Sequence, residues 1–216
     1  MRAFARCDAL ERLPPGMRGE YRAIVQTTTA EAIAKWGLSA VATPRRCAAY
    51  HEAGHAVVRW SLGLDMYSVR VNRECVVGID IWAGYAQGEP LGSLATPGPC
   101  VAEAAIVLAG FASERLYKVA TLASSLDEQA LAGLLLRQCA ALLGRPGDAG
   151  ALLVSALRET TEVLKRNQQS VKRIAIRLME QKVLSGRLLK RLLRDVEIVG
   201  EELPRRILAG ARNGEA

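Results

Sequence analysis

"AAYHEAGHAVVRW", residues 48–60, holds both histidines of a 216-residue chain. Ala48, Ala49, Ala53, Ala56, Val57, Val58 and Trp60 favour or pack well in a helix. Pro44 is tolerated at a helix start and Gly63 supplies a stop, so a helix over Arg45–Leu62 is expected. Residues four apart lie on one helix face, so His51 and His55 can aim their rings at one point. Glu52 sits one step round, within reach of a water held there. Two neutral imidazoles and an adjacent carboxylate at this spacing suit zinc, with Glu52 taking a proton from a zinc-activated water. The alternative is an ordinary helix with one exposed and one packed histidine.

Composition sets the frame around this helix. The chain is 50% hydrophobic, enough to bury a core. Five scattered cysteines with no CxxC pair fit neither a disulfide framework nor a zinc knuckle, and point to a reduced, cytoplasmic protein. The longest apolar stretch, "AAIVLAGFA" at 104–112, is far short of the about 20 residues of a membrane span. The first 20 residues lack an apolar signal core. Net charge is +7, of which +6 lies from Leu157 onward. Those cations alternate with acids at helical spacing and few aromatics accompany them, so a solvated helical surface is expected, without nucleic acid.

The rest of the chain is expected to be mostly helical, with a small sheet. Residues 21–36 suit a first helix. "YSVRVN" and "CVVGIDIWAGYAQ" alternate as strands do, which makes a hairpin after the histidine helix. Helices follow over Cys100–Lys118, where Gly110 suits close packing, and from Ser125 to Gly144; "GRPGD" at 144–148 is a turn. Leu152 to Met179 keep helical spacing, and Leu188–Leu193 close a short last helix. The fold class is therefore mainly α with a small β-sheet (α+β). Zinc hydrolases of this type take three protein ligands. With no third histidine, the remaining ligand is a carboxylate or thiolate: Glu74, Asp80, Glu89, Cys75, Cys100, Glu103, Glu114, Asp127 and Glu128 are the candidates downstream.

"AAYHEAGHAVV" resembles the peptidase domain of the FtsH-type ATP-dependent zinc metalloproteases. "VVGIDIWAGYAQ" is similar to that family's strand with its Gly-Tyr step, "LAGFASERLY" (108–117) to its "GGRAAEEL" helix, and "ASSLDEQALAGLL" (123–135) to its "GAANDLEQAT" segment. Residues 161–193 resemble its closing helices, including a Leu-Ser-Gly step. The resemblance spans about residues 45–196. It implies Asp127 as third zinc ligand, although in an ungapped alignment Leu126 takes the family aspartate's place. One position turns a helical side chain by about 100°. Ser125 with Glu128 also reads as a capping box, and Asp127 would favour the helix dipole.

The expected organisation is an N-terminal extension with one helix (1–44), an FtsH-like zinc metallopeptidase domain (45–196) and a basic C-terminal tail (197–216). No phosphate-binding GxxxxGK[ST] sequence and no span is present, so a peptidase domain without the family's AAA+ ATPase module or membrane anchor is expected. Its expected activity is that of a zinc metalloendopeptidase on unfolded or flexible polypeptides, with His51, His55 and Asp127 as metal ligands and Glu52 as general base. Its expected partners are a separate AAA+ ATPase or further copies of itself. Gly84 and Tyr85 are expected to hold substrate as an added strand; a turn and a packed aromatic are the plainer alternative. The competing class is a peptidase-like binding or regulatory protein without turnover, partnering a separate protease or ATPase. A hydrolase of small molecules comes third.

Overall fold

The structure, a computed structural model, describes residues 13–36, 43–76, 79–120 and 125–212. Helix α1 (Pro15–Trp36) is followed by α2 (Arg45–Ser61), strands β1 (Met66–Val76) and β2 (Ile79–Gly88), and helices α3 (Pro97–Leu116) and α4 (Leu126–Leu142). A single 3-10 turn at Pro146–Asp148 leads into α5 (Ala149–Arg166) and α6 (Gln168–Gln181). Strand β3 (Val183–Ser185), α7 (Gly186–Leu193) and α8 (Glu202–Arg212) complete the described chain. The protein is mainly helical with a three-stranded antiparallel sheet of order β2-β1-β3, the α+β class expected from the sequence. None of the described helices is long and apolar enough to cross a membrane.

The histidine helix is the centre of the molecule. Fourteen of the 17 residues of α2 are buried, so this helix is covered nearly all round rather than amphipathic. It packs on α3, α6, β1 and β2. Pro44, in extended conformation, begins it, and Gly63 ends it at φ +81°, a left-handed turn that glycine adopts without steric cost. Small residues let α3 approach closely. A Cβ on Gly54 would stand 2.5 Å from the carbonyl oxygen of Ala109, and Ser113 Oγ donates to the carbonyl of Tyr50 at 2.7 Å.

The hairpin forms as the alternation predicts, with Val69 and Val71 turned into the core and Val71 opposite Gly84. Three features depart from the sequence reading. The Leu-Ser-Gly step carries a short strand, β3, that pairs with the other edge of β1 through Ser68 and Ser185. Residues 197–216, expected as a basic tail, contain α8, whose Leu203, Ile207 and Ala211 are buried. Spacing of four puts those three on one face, and that face packs on α5. The same tail fastens α2: the N–H groups of Val199 and Gly200 donate to the carbonyl of Ser61 at 2.7 and 3.0 Å. Asn167 marks the break between α5 and α6, donating to Val163 and accepting from the N–H of Glu197 at 2.8 Å. At the other end of the chain α1 begins at Pro15, earlier than expected, and lies against α4 with Tyr21, Val25 and Ala32 buried.

Candidate metal centre

His51 and His55 face the same point, as one turn of helix requires. Their Nε2 atoms lie 2.9 Å apart, and Glu128 Oε1, from the first turn of α4, lies 3.0 Å from the first and 2.9 Å from the second. The three residues form a buried group that could hold a metal ion, the one such group among the described residues. All three are more than nine-tenths buried.

The outer nitrogens settle what those inner atoms carry. His55 Nδ1 is 2.7 Å from the carbonyl oxygen of Ile106, which can only accept, so Nδ1 bears the hydrogen. His51 Nδ1 is 2.6 Å from the Glu114 carboxylate and donates to it, while Ser125 Oγ donates to the same oxygen at 3.2 Å. In neutral imidazoles both Nε2 atoms therefore present lone pairs toward each other and toward a carboxylate oxygen. Three lone-pair atoms within 3.0 Å repel unless a positive charge lies between them, either protons or a metal ion. The donor set of two imidazoles and one carboxylate suits zinc, and its outer partners, a carboxylate and a carbonyl, are those that orient metal-bound histidines. Ligands of tetrahedral zinc stand about 3.3 Å apart, a few tenths of an ångström wider than this triangle.

Electrostatics agree with that geometry. Burial works against a charged His51, but the Glu128 and Glu114 carboxylates outweigh it and hold its pKa well above the ordinary value. Burial is likewise overcome at His55 by Glu128. Glu128 itself, despite burial, is lowered to about 2 by the two histidines. Glu52 is pushed up to about 7 by burial, against the pull of His51 and His55.

Placement of the expected site residues is mixed. His51, Glu52 and His55 lie together, and the third donor atom of the group is an oxygen of Glu128. Asp127 is half-buried and stays outside the group; its carboxylate accepts N–H groups of the first turn of α4, its own and that of Glu128. Burial raises its pKa to about 6. The capping box does not form, because Ser125 turns to Glu114 and Glu128 to the histidines instead of the helix end. Glu114, one of the open candidates, stands behind His51 as its hydrogen-bond partner. Glu74, Glu89, Glu103 and Cys100 do not join the group. The side chains of Cys75 and Asp80 lie outside the described residues.

Two glycines make room for these side chains. A Cβ on Gly110 would run into the His51 ring, and one on Gly84 would run into the Glu52 carboxyl. Gly84 thus places the backbone of β2 directly against Glu52. Tyr85 belongs to the opposite face of the strand, where its ring lies 5.5 Å from the Arg70 guanidinium. Among the described residues, the outer edge of β2 is met once: Trp82 N–H donates to the carbonyl of Thr43 at 2.9 Å. Residues two apart share an edge, so the N–H and C=O of Gly84 and Ala86 turn to that same side, away from β1. Compared with protein-family models and with curated proteins, the chain gives no match.

Proposed function

We propose that the protein is a zinc metalloendopeptidase, cutting peptide bonds in unfolded or flexible polypeptides. The observation that carries this reading is the convergence of His51 Nε2, His55 Nε2 and Glu128 Oε1, with Glu52 buried beside them. The resemblance of residues 45–196 to the FtsH-type peptidase domain supports it, with Glu128 taking the part first given to Asp127. His51, His55 and Glu128 would hold the ion, which when bound supplies Lewis acidity toward water and toward the scissile carbonyl.

The chain's own groups do the rest. Glu52, buried beside the two histidines, accepts a proton from the attacking water and returns it to the departing amine. Glu114 and the carbonyl of Ile106 fix both ring orientations, so the Nε2 atoms stay aimed inward. The backbone of Gly84 and Ala86 receives the substrate as an added antiparallel strand alongside Glu52. Tyr85 serves this only through its pairing with Arg70 of β1. A folded substrate does not present an extended segment, so such proteins would need an unfolding partner, such as a separate ATPase.

Zinc-loaded wild type is expected to degrade casein, and Glu52→Gln to keep its zinc while losing hydrolysis by about 100-fold or more. Zinc retained with no cleavage by the wild type would replace the enzyme with the non-catalytic binding protein. Equal cleavage by both would take Glu52 out of the reaction.

A further inference from the structure

The end of the site nearest the start of β2 is built from cations on an aromatic ring. Trp82 lies two residues before Gly84 and shares its face of the strand. The Arg45 guanidinium sits 4.8 Å from the centre of the Trp82 ring and the Lys182 ammonium 5.8 Å from it. Arg45 comes from the first turn of α2 and Lys182 from the end of α6, so three elements meet at one indole. One carbonyl is shared by the two residues: Leu178 O accepts from the Arg45 guanidinium at 3.3 Å and from the backbone N–H of Lys182 at 3.0 Å. Lys182 adopts φ +63°, a conformation that glycine takes far more readily, and its carbonyl accepts from Val71 at 2.8 Å. The register of β3 on β1 therefore fixes where this lysine stands.

Neither cation has a carboxylate partner among the described residues, and Arg45 Nε is buried without any hydrogen-bond acceptor. Carbonyls at the end of α6 favour positive charge there. They favour both Arg45, which bonds one of them, and Lys182 at the helix end, and the indole face attracts both. Two like charges on one indole repel, and a carboxylate placed between them would relieve both. An arginine fork and an ammonium are the groups that hold such an anion.

The strand geometry says what would bring it. Thr43 already occupies the edge of β2 at Trp82, so a peptide paired at Gly84 and Ala86 must leave the edge there. Its next side chain on the Glu52 face passes Trp82, about 7 Å further along the strand. We propose that Arg45, Trp82 and Lys182 form a specificity subsite that selects an acidic side chain of the polypeptide substrate within two residues of the scissile bond. This rests on the peptidase reading above.

The test uses a set of peptides that carry Glu, Gln or Lys at each of the two positions on either side of one cleavable bond. At one of those positions zinc-loaded wild type is expected to favour Glu over Lys by about tenfold in kcat/KM. Lys182→Gln should bring that ratio down and Lys182→Glu should bring it below one. Lys182 is exposed, so both variants are expected to fold. Equal cleavage of all peptides by the wild type, or a ratio that Lys182→Glu leaves unmoved, would overturn the subsite while the peptidase stood. Should no peptide be cleaved, the peptidase reading fails, and the subsite is read from titration of the same peptides into zinc-loaded protein. Tighter binding of the Glu peptide that Lys182→Glu abolishes supports it; equal or absent binding overturns it.

Discussion

Glu128 and Asp127 are neighbours of the same charge, yet one reaches the imidazoles and the other caps its own helix. Glu128→Gln keeps the side chain's size and removes its charge, so zinc affinity should fall by more than the about 10–100-fold that losing an outer-shell partner costs. Asp127→Asn should leave affinity within a few-fold and stability near that of the wild type, because burial and the neighbouring Glu128 already offset what the first-turn N–H groups give its charge. Zinc titration and thermal melts of both variants check this; the reverse order of effects would restore Asp127 as the ligand. At this scale the sequence spoke clearly only where the chemistry was local. His51, Glu52 and His55 are fixed by one turn of helix, which any helical reading supplies. The third donor atom depends on how α4 is rotated against α2, Glu128 lying 73 residues beyond His55 along the chain, and a one-residue shift in a resemblance decides it. Glu114 was visible as a candidate, but its place behind His51 follows from the α2–α3 crossing.

Among the elements, α2, α3 and β2 are held at distances that only glycine permits at three points: Gly54, Gly84 and Gly110. The sequence hinted at one of them, since a glycine inside an alanine-rich helix suits a close neighbour, and Gly110 indeed lies against the His51 ring. Gly84 gave no such hint, because its contact belongs to the packing of a hairpin on a helix. Gly84→Val raises strand propensity but places carbon where the Glu52 carboxyl stands. It should retain zinc and lose about 100-fold in kcat/KM on an unfolded substrate, as displacing a reacting group by about 1 Å does. Zinc content and casein turnover measured together decide it; unimpaired turnover would mean that Glu52 works from another position.

Across the whole molecule, α2 is enclosed by the hairpin and by helices α3 and α6, and at the C-terminal end α8 shows why composition misled. A run rich in Arg and Glu looked like a tail, while Leu203, Ile207 and Ala211 at intervals of four carried the buried face. Burial of the charged cluster also ties stability to pH. In chelated protein the raised pKa values of His51, His55 and Glu52 stabilise the fold below their unfolded values and lose that contribution as pH rises through the folded ones. Glu128, lowered to about 2, stabilises above its unfolded value of about 4.5. Melting temperature in a chelator should therefore be highest near about pH 4.5, decline as Glu52 ionises through about pH 7 and fall further toward pH 8.5 as the histidines lose their protons, where added zinc should restore it. A chelated protein as stable at pH 8.5 as at pH 6 would mean that the cluster does not hold protons in the way its geometry demands.

Every step of the proposed reaction would depend on a cation between His51, His55 and Glu128. Metal analysis of the protein, purified without chelator at neutral pH and equilibrated with stoichiometric zinc, should find close to one zinc per chain, lost in His51→Ala and His55→Ala. A wild type that comes out metal-free and takes up no zinc, or binds as much as the two variants, would contradict the account.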